Sequence, residues 1–140
     1  MRALLLVLLL AACTQTIPTE EPATSAESAL AQMPAWETAR AAGVDFRAVG
    51  EEPGWMLDIY TQNRIVLLWD YGEANAEFPL PEPILPRWNG EIYETRTAAH
   101  TLRVEIRRTP CQDTMSGENF PTAVSVDIDG RTLTGCGRSV

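Results

Sequence analysis

The residues of this chain able to carry chemistry are three cysteines, one histidine and the acids of two turn-rich segments. The first segment, Gly50-Glu-Glu-Pro-Gly-Trp55, presents Glu51, Glu52 and Trp55. The second, Cys111 to Pro121, presents Asp113, Met115, Ser116, Glu118 and Phe120. Carboxylates held across a cleft can act as acid and base, so Glu51, Glu52, Asp113 and Glu118 form the types needed for a carboxylate-dependent hydrolase. Ser116, His100 and Asp113 are the types of a nucleophilic triad, but a triad is defined by geometry. No strand–turn–helix nucleophile motif surrounds Ser116, and His100 falls at an expected hairpin turn. The reading is therefore non-enzymatic. With one histidine and no CxxC pair, a zinc site lacks ligands. There is no glycine-rich phosphate loop either, so no cofactor and no metal are expected.

Loops fixed to a rigid scaffold are favoured places for binding, and both segments are candidate binding loops. The plainer alternative is that Met115 and Phe120 tuck into the core while Ser116-Gly117 merely turns.

The third cysteine belongs to the N-terminus. Met1-Arg2 is followed by the apolar run Ala3 to Leu10, then Ala11, Ala12 and Cys13. One positive charge, a short apolar stretch and small residues at its end define a secretory signal over residues 1–12. The run is shorter than the roughly 20 apolar residues a bilayer crossing needs. Leu10-Ala11-Ala12-Cys13 resembles the lipobox of bacterial lipoproteins. That resemblance implies cleavage before Cys13, a diacylglycerol thioether on its sulfur and an acylated amine such as a palmitoyl amide, several chains that together anchor stably. Thr14 in place of Asp implies sorting to the outer membrane of a Gram-negative bacterium, with the domain in the periplasm. Ordinary secretion with a free Cys13 thiol is the alternative.

Residues 13–33 then form a lipid-bearing tether. Thr14 to Met33 is rich in Thr, Glu, Ser, Ala and Pro without apolar periodicity, a composition unable to bury its way into order. Flexible, it reaches roughly 25 Å. Cys111 and Cys136 remain, an even pair for an oxidising compartment. A disulfide is expected, worth about 3 kcal/mol by loop closure; a redox or metal pair is the alternative.

Charge narrows the partners. The chain carries −8, or −9 without Arg2, and all eleven cations are Arg. A nucleic-acid partner is excluded, since phosphate binding needs a basic surface. A bilayer would hold this chain only by its lipid. A cationic protein would be attracted, although acidity also simply keeps exported proteins soluble.

The elements that must position these loops are mostly strands, in a single domain over residues 34–140. Pro34 to Gly43 reads as a short helix, with Pro in the first turn and Gly beyond the end. Trp36 and Ala39 share one face. Trp55, Leu57 and Ile59 alternate with Met56, Asp58 and Tyr60, a half-buried strand. Ile65 to Trp69 is apolar throughout and reads as covered on both sides. Residues 79–90, with Pro79, Pro81, Pro83 and Pro86, form a rigid loop. Glu91–Thr97 and Thr101–Arg108 make a hairpin that sets Tyr93 opposite Val104 and Glu94 opposite Arg103. Val124, Val126 and Ile128 lead to an Asp129-Gly130 turn, placing Val126 opposite Leu133. The expected fold is an antiparallel sheet of seven or eight strands, closed as a small barrel or packed as a sandwich. The apolar run at 65–69 favours a sandwich or a helix-plugged barrel.

Three stretches together carry a resemblance: Phe46-Arg-Ala-Val-Gly-Glu-Glu-Pro-Gly-Trp55, Cys111-Gln-Asp-Thr-Met-Ser-Gly117 and Gly130-Arg-Thr-Leu-Thr-Gly-Cys-Gly137. They are similar to a family of small Gram-negative lipoproteins whose function is not characterised, over roughly residues 36–138. The resemblance implies an exported β domain with paired cysteines. More distantly the chain resembles the membrane-bound inhibitors of c-type lysozyme, small disulfide-bearing β-barrel lipoproteins; no site residue carries over from them. The expected function is an envelope binding module, for which a lysozyme inhibitor and a hydrolase are the alternatives.

Overall fold

The computed structural model describes residues 36–140. The signal segment, Cys13, the tether and Pro34 lie outside the described residues. The Pro34–Gly43 helix is realised as α1, Trp36–Ala41. Ten strands follow: β1 Phe46–Glu51, β2 Gly54–Tyr60, β3 Arg64–Trp69, β4 Ala74–Pro79, β5 Gly90–Arg96, β6 Thr101–Arg107, β7 Cys111–Gln112, β8 Asn119–Phe120, β9 Thr122–Ile128 and β10 Arg131–Ser139.

Eight of them form one antiparallel sheet in the order β4-β3-β2-β1-β10-β9-β6-β5. β1 to β4 pair in chain order, as do β5 with β6 and β9 with β10; β7 and β8 leave as a separate two-stranded ribbon, so β6 pairs with β9, and β1 pairs with β10. The sheet curls until β4 and β5 meet, giving a nearly closed up-and-down barrel. Across the seam, Thr95 Oγ1 donates to the Pro79 carbonyl at 2.8 Å. The proline-rich segment then folds over the free edge of β5, where Ile84 and Ile92 exchange backbone hydrogen bonds of 2.8 and 2.9 Å. Covering an edge this way keeps it from templating another strand.

Period-2 alternation decides what enters the barrel. Trp55, Leu57 and Ile59 from β2 meet Ile65, Leu67, Phe78, Val104, Val126 and Leu133 inside. An eight-stranded barrel is just wide enough to be filled by side chains, and here they fill it. No helix plugs it. The apolar run of β3 is not covered on both sides: Ile65, Leu67 and Trp69 are buried, whereas Val66 and Leu68 on the outer face are only partly so. β9 and β10 pair in the expected register, Val126 opposite Leu133, and β5 pairs with β6 as expected, Tyr93 opposite Val104.

Glycines make room for the largest inner side chain. A Cβ on Gly50 would fall 2.1 Å from Trp55 Nε1, and one on Gly135 would fall 2.0 Å from the Val49 carbonyl oxygen. The indole lies on bare backbone and donates to the Thr134 carbonyl at 3.2 Å. Gly135 and Gly137 of the last sequence motif are thus steric necessities: a Cβ on Gly137 would meet the Phe46 ring at 2.6 Å.

The outer face of β1 and β2 corrects the half-buried reading of β2, since every residue from Gly54 to Ile59 is buried. Arg47 and Asp58, opposite each other in the β1–β2 ladder, form a two-pronged ion pair, both bonds 2.6 Å. α1 lies over this pair. The Arg47 guanidinium is 5.9 Å from the centre of the Trp36 ring, and Trp36 packs in turn on Phe120 at 5.8 Å between centroids. Nothing in the sequence pattern announced this second, polar layer.

Candidate functional site

β6 and β9 are neighbours in the sheet, yet fourteen residues separate Arg107 from Thr122. That excursion holds β7, β8 and the loop between them, and it folds back over the outer face of the barrel. The expected disulfide fixes it there: Cys111 of β7 is bonded to Cys136 of β10, with 5.6 Å between Cα atoms. Cys111 Sγ also lies 3.4 Å from the Gly135 carbonyl oxygen.

Beneath the loop is an open cleft of about 670 Å³. Alternation supplies its floor, because outward positions on β9 and β10 carry the small side chains Ala123, Ser125 and Thr134 beside the disulfide. Cys111 to Met115 form the roof. One wall is the β1–β2 turn with Glu51 and Glu52, and the other is Glu105 and Arg107 on the outer face of β6. The turn itself contains a cis Glu52–Pro53 peptide.

The two candidate loops therefore meet, but not all of their residues take part. Glu51, Glu52, Asp113 and Met115 line the cleft. Met115, 66% exposed, stands at its mouth rather than in the core. Trp55 is buried inside the barrel and Phe120 beneath α1, so neither offers a binding surface. This corrects their place among the binding-loop candidates. Glu118 points away and accepts from Arg138 at 2.7 Å; Arg138 in turn lies 4.1 Å from the Trp36 ring centre. Glu105 and Arg107 were missed. Alternation with the buried Leu102, Val104 and Ile106 sets both on the outer face of β6, but which outer face lies under the loop depends on the path of the chain.

The triad does not assemble. His100 stands at the opposite end of β6 from the 111–117 loop, about 20 Å away by strand rise. Its Nδ1 is 2.7 Å from Asp129 Oδ2, and its ring meets Trp69 edge-on at 5.6 Å. That contact, with the Thr101 amide, holds the Asp129 carboxyl below its ordinary range. Ser116 instead serves the loop. Its amide donates to Asp113 Oδ2 at 2.8 Å, its hydroxyl donates to the same oxygen, and its Oγ accepts from the Glu118 amide at 3.2 Å. Such Asx-type bonds shape a turn. Gly117 completes it at φ +72°, a conformation open to glycine.

Electrostatics single out Glu51. Its carboxyl titrates above the ordinary glutamate range, first because burial disfavours its charge, then because Asp113 and Glu52 repel it. Among the described residues neither a cation nor a hydrogen-bond donor answers it. Across the cleft the charges are satisfied. Glu105 is held below its ordinary range chiefly by a hydrogen bond from Arg103, and it also accepts from Arg107 at 3.0 Å. Arg107 further stacks on Trp88, 4.1 Å from the ring centre. No group of three or more metal-ligating side chains is assembled among the described residues. The arrangement can hold a ligand between two walls, with a floor of small side chains and a negative rim. Comparisons with protein-family models, curated proteins and solved structures find no match to this chain.

Proposed function

We propose that this chain is a lipid-anchored binding module of the Gram-negative cell envelope. Acyl groups on Cys13 hold it to the periplasmic side of the outer membrane, and its ligand lies between the β1–β2 turn and the stapled 111–117 loop. The cleft is the observation that carries this reading. The barrel interior is filled, so a ligand must be met on the outside. There, an open cleft of about 670 Å³ is formed by both candidate loops and tied by a disulfide suited to an oxidising compartment. Binding is favoured over turnover because Asp113 and Ser116 are committed to the loop's own turn. Glu118 is engaged by Arg138, which disfavours a carboxylate-dependent hydrolase.

Two measurements test the proposal. Mass spectrometry of protein from the native host should find residues 1–12 absent and acyl mass on Cys13; an intact Met1 without acyl mass overturns the anchoring. A photo-crosslinking residue at Met115, installed in the native host, should trap a discrete species that the same residue at exposed Glu82 does not. Equal or absent products from both positions overturn the binding site.

A second reading, inhibition of c-type lysozyme, draws on Met115, exposed on the disulfide-tied loop, and on the chain's negative charge. Loss of lysozyme activity at micromolar protein supports it, and full activity rejects it.

A further inference from the structure

We propose that the cleft receives a basic side chain, an arginine or lysine on an extended segment of a protein partner, with Glu51 as its counter-ion. The inference rests on the cleft being the binding site and adds the chemistry of its ligand.

Several acids on the outside of the barrel are paired with arginine. Asp58 pairs with Arg47, Asp70 with Arg131, Glu91 with Arg108, Glu94 with Arg103 and Glu118 with Arg138. Glu51 is half-buried at the cleft wall, yet the charges nearest it are the carboxylates of Asp113 and Glu52. Among the described residues the one cation lining the cleft, Arg107, is engaged by Glu105 and by the Trp88 ring. Four carboxylates and one guanidinium leave the lining with a net charge of −3. A carboxylate withdrawn from water without a donor is costly, and an incoming cation relieves the cost.

Shape adds to charge. The floor of Ala123, Ser125, Thr134, Gly135 and the disulfide is built of small groups, leaving room for the methylene stem of a long basic side chain, which packs on the Ala123 methyl and the disulfide. At about 670 Å³ the cleft exceeds one side chain, so flanking residues of an extended segment enter too.

Charge also selects among occupants. The chain's own Thr14–Met33 segment carries Glu20, Glu21 and Glu27 and no cation, so it is repelled. A second copy brings another domain with sixteen acids and ten arginines over residues 36–140. Phosphate-rich surfaces are repelled likewise. A basic segment of another protein meets both the rim and the floor.

The test uses the chain purified in non-ionic detergent. The probe is a fluorescent, end-capped hexapeptide of alternating arginine and serine, compared with the same peptide bearing neutral citrulline for arginine. Anisotropy should show the arginine peptide binding at least about tenfold more tightly. Glu51→Gln should weaken it by about tenfold, and Ser125→Trp, which fills the floor without changing charge, should abolish binding. Glu82→Gln, an equal loss of charge on the proline-rich segment, should change it less than about twofold. Equal affinity for the citrulline peptide, or equal weakening by Glu51→Gln and Glu82→Gln, overturns the inference. If Met115 still crosslinks a species in the host while the arginine peptide fails to bind, the ligand class is wrong and the binding site stands. Failure of both removes both.

Discussion

The Arg47–Asp58 pair offers a sharp test of how the outer layer holds the barrel together. Both residues are withdrawn from water, at 2% and 4% exposure, and two hydrogen bonds of 2.6 Å join them. Charges in contact attract by about 4 kcal/mol at an effective dielectric near ~20. Moving each from water costs several kcal/mol, so the intact pair is close to neutral against an apolar pair of the same shape. Removing one partner is different. Asp58→Asn leaves the buried Arg47 guanidinium facing an amide, and the loss should be about 3–5 kcal/mol. A domain of this size has only about 5–15 kcal/mol in total. With a urea dependence of about 1–3 kcal/mol per molar, the unfolding midpoint should fall by at least about 1 M. Tryptophan fluorescence follows the transition, since Trp36, Trp55 and Trp69 all lie against the sheet or inside it. Arg47→Met combined with Asp58→Leu should recover most of the loss. The reasoning is refuted if Asp58→Asn costs less than about 1 kcal/mol, or if the double variant is no more stable than the single.

Other outcomes follow from the same structure. Gly135→Ala drives a methyl against the Val49 carbonyl and the Trp55 ring and should cost about 3 kcal/mol by urea unfolding; a near-neutral effect would mean that Trp55 can be repacked. Cys111→Ser should lower stability by about 3 kcal/mol and raise amide exchange across residues 111–120; equal melting of oxidised and reduced protein contradicts the staple. Glu51 has a folded-state pKa above its unfolded value, so the folded chain holds more protons between the two, and stability falls as pH rises through that window. Glu51→Gln should therefore be more stable than the parent at neutral pH and equal to it in acid below both values. A variant less stable at neutral pH reverses the sign and refutes the unanswered carboxylate.

Local signals were legible where pattern and turn chemistry agreed. Asp129-Gly130 takes left-handed backbone at φ +53° and +82°, and the hairpin it closes has the register read from Val126 and Leu133. Leu102, Val104 and Ile106 alternate into the core as their spacing required. β4 was missed because Ala74-Asn-Ala-Glu-Phe-Pro79 has few β-branched residues and only Phe78 deeply buried. Met56 and Asp58 looked solvent-facing because a strand's own sequence does not reveal what a distant helix lays over it. The same limit applies to the cleft. Its two loops were recognisable from composition, while Glu105, Ser125 and Thr134 entered only once the disulfide had fixed the path of the 108–121 segment. Trp55 reads both as the end of a turn-rich segment and as the start of an alternating strand, but neither reading names its partners, the bare backbones of Gly50 and Gly135, eighty-odd residues apart in the chain.

The proposal that the cleft under the stapled loop is where this protein meets its partner is tested most directly by crosslinking in the host. A photoreactive residue at Met115 is compared in the parent and in a Cys111→Ser/Cys136→Ser chain whose barrel still melts cooperatively. The account predicts a discrete crosslinked species from the parent that falls, without the disulfide, to the background given by position 82. An undiminished crosslink from the chain lacking both sulfurs would contradict it.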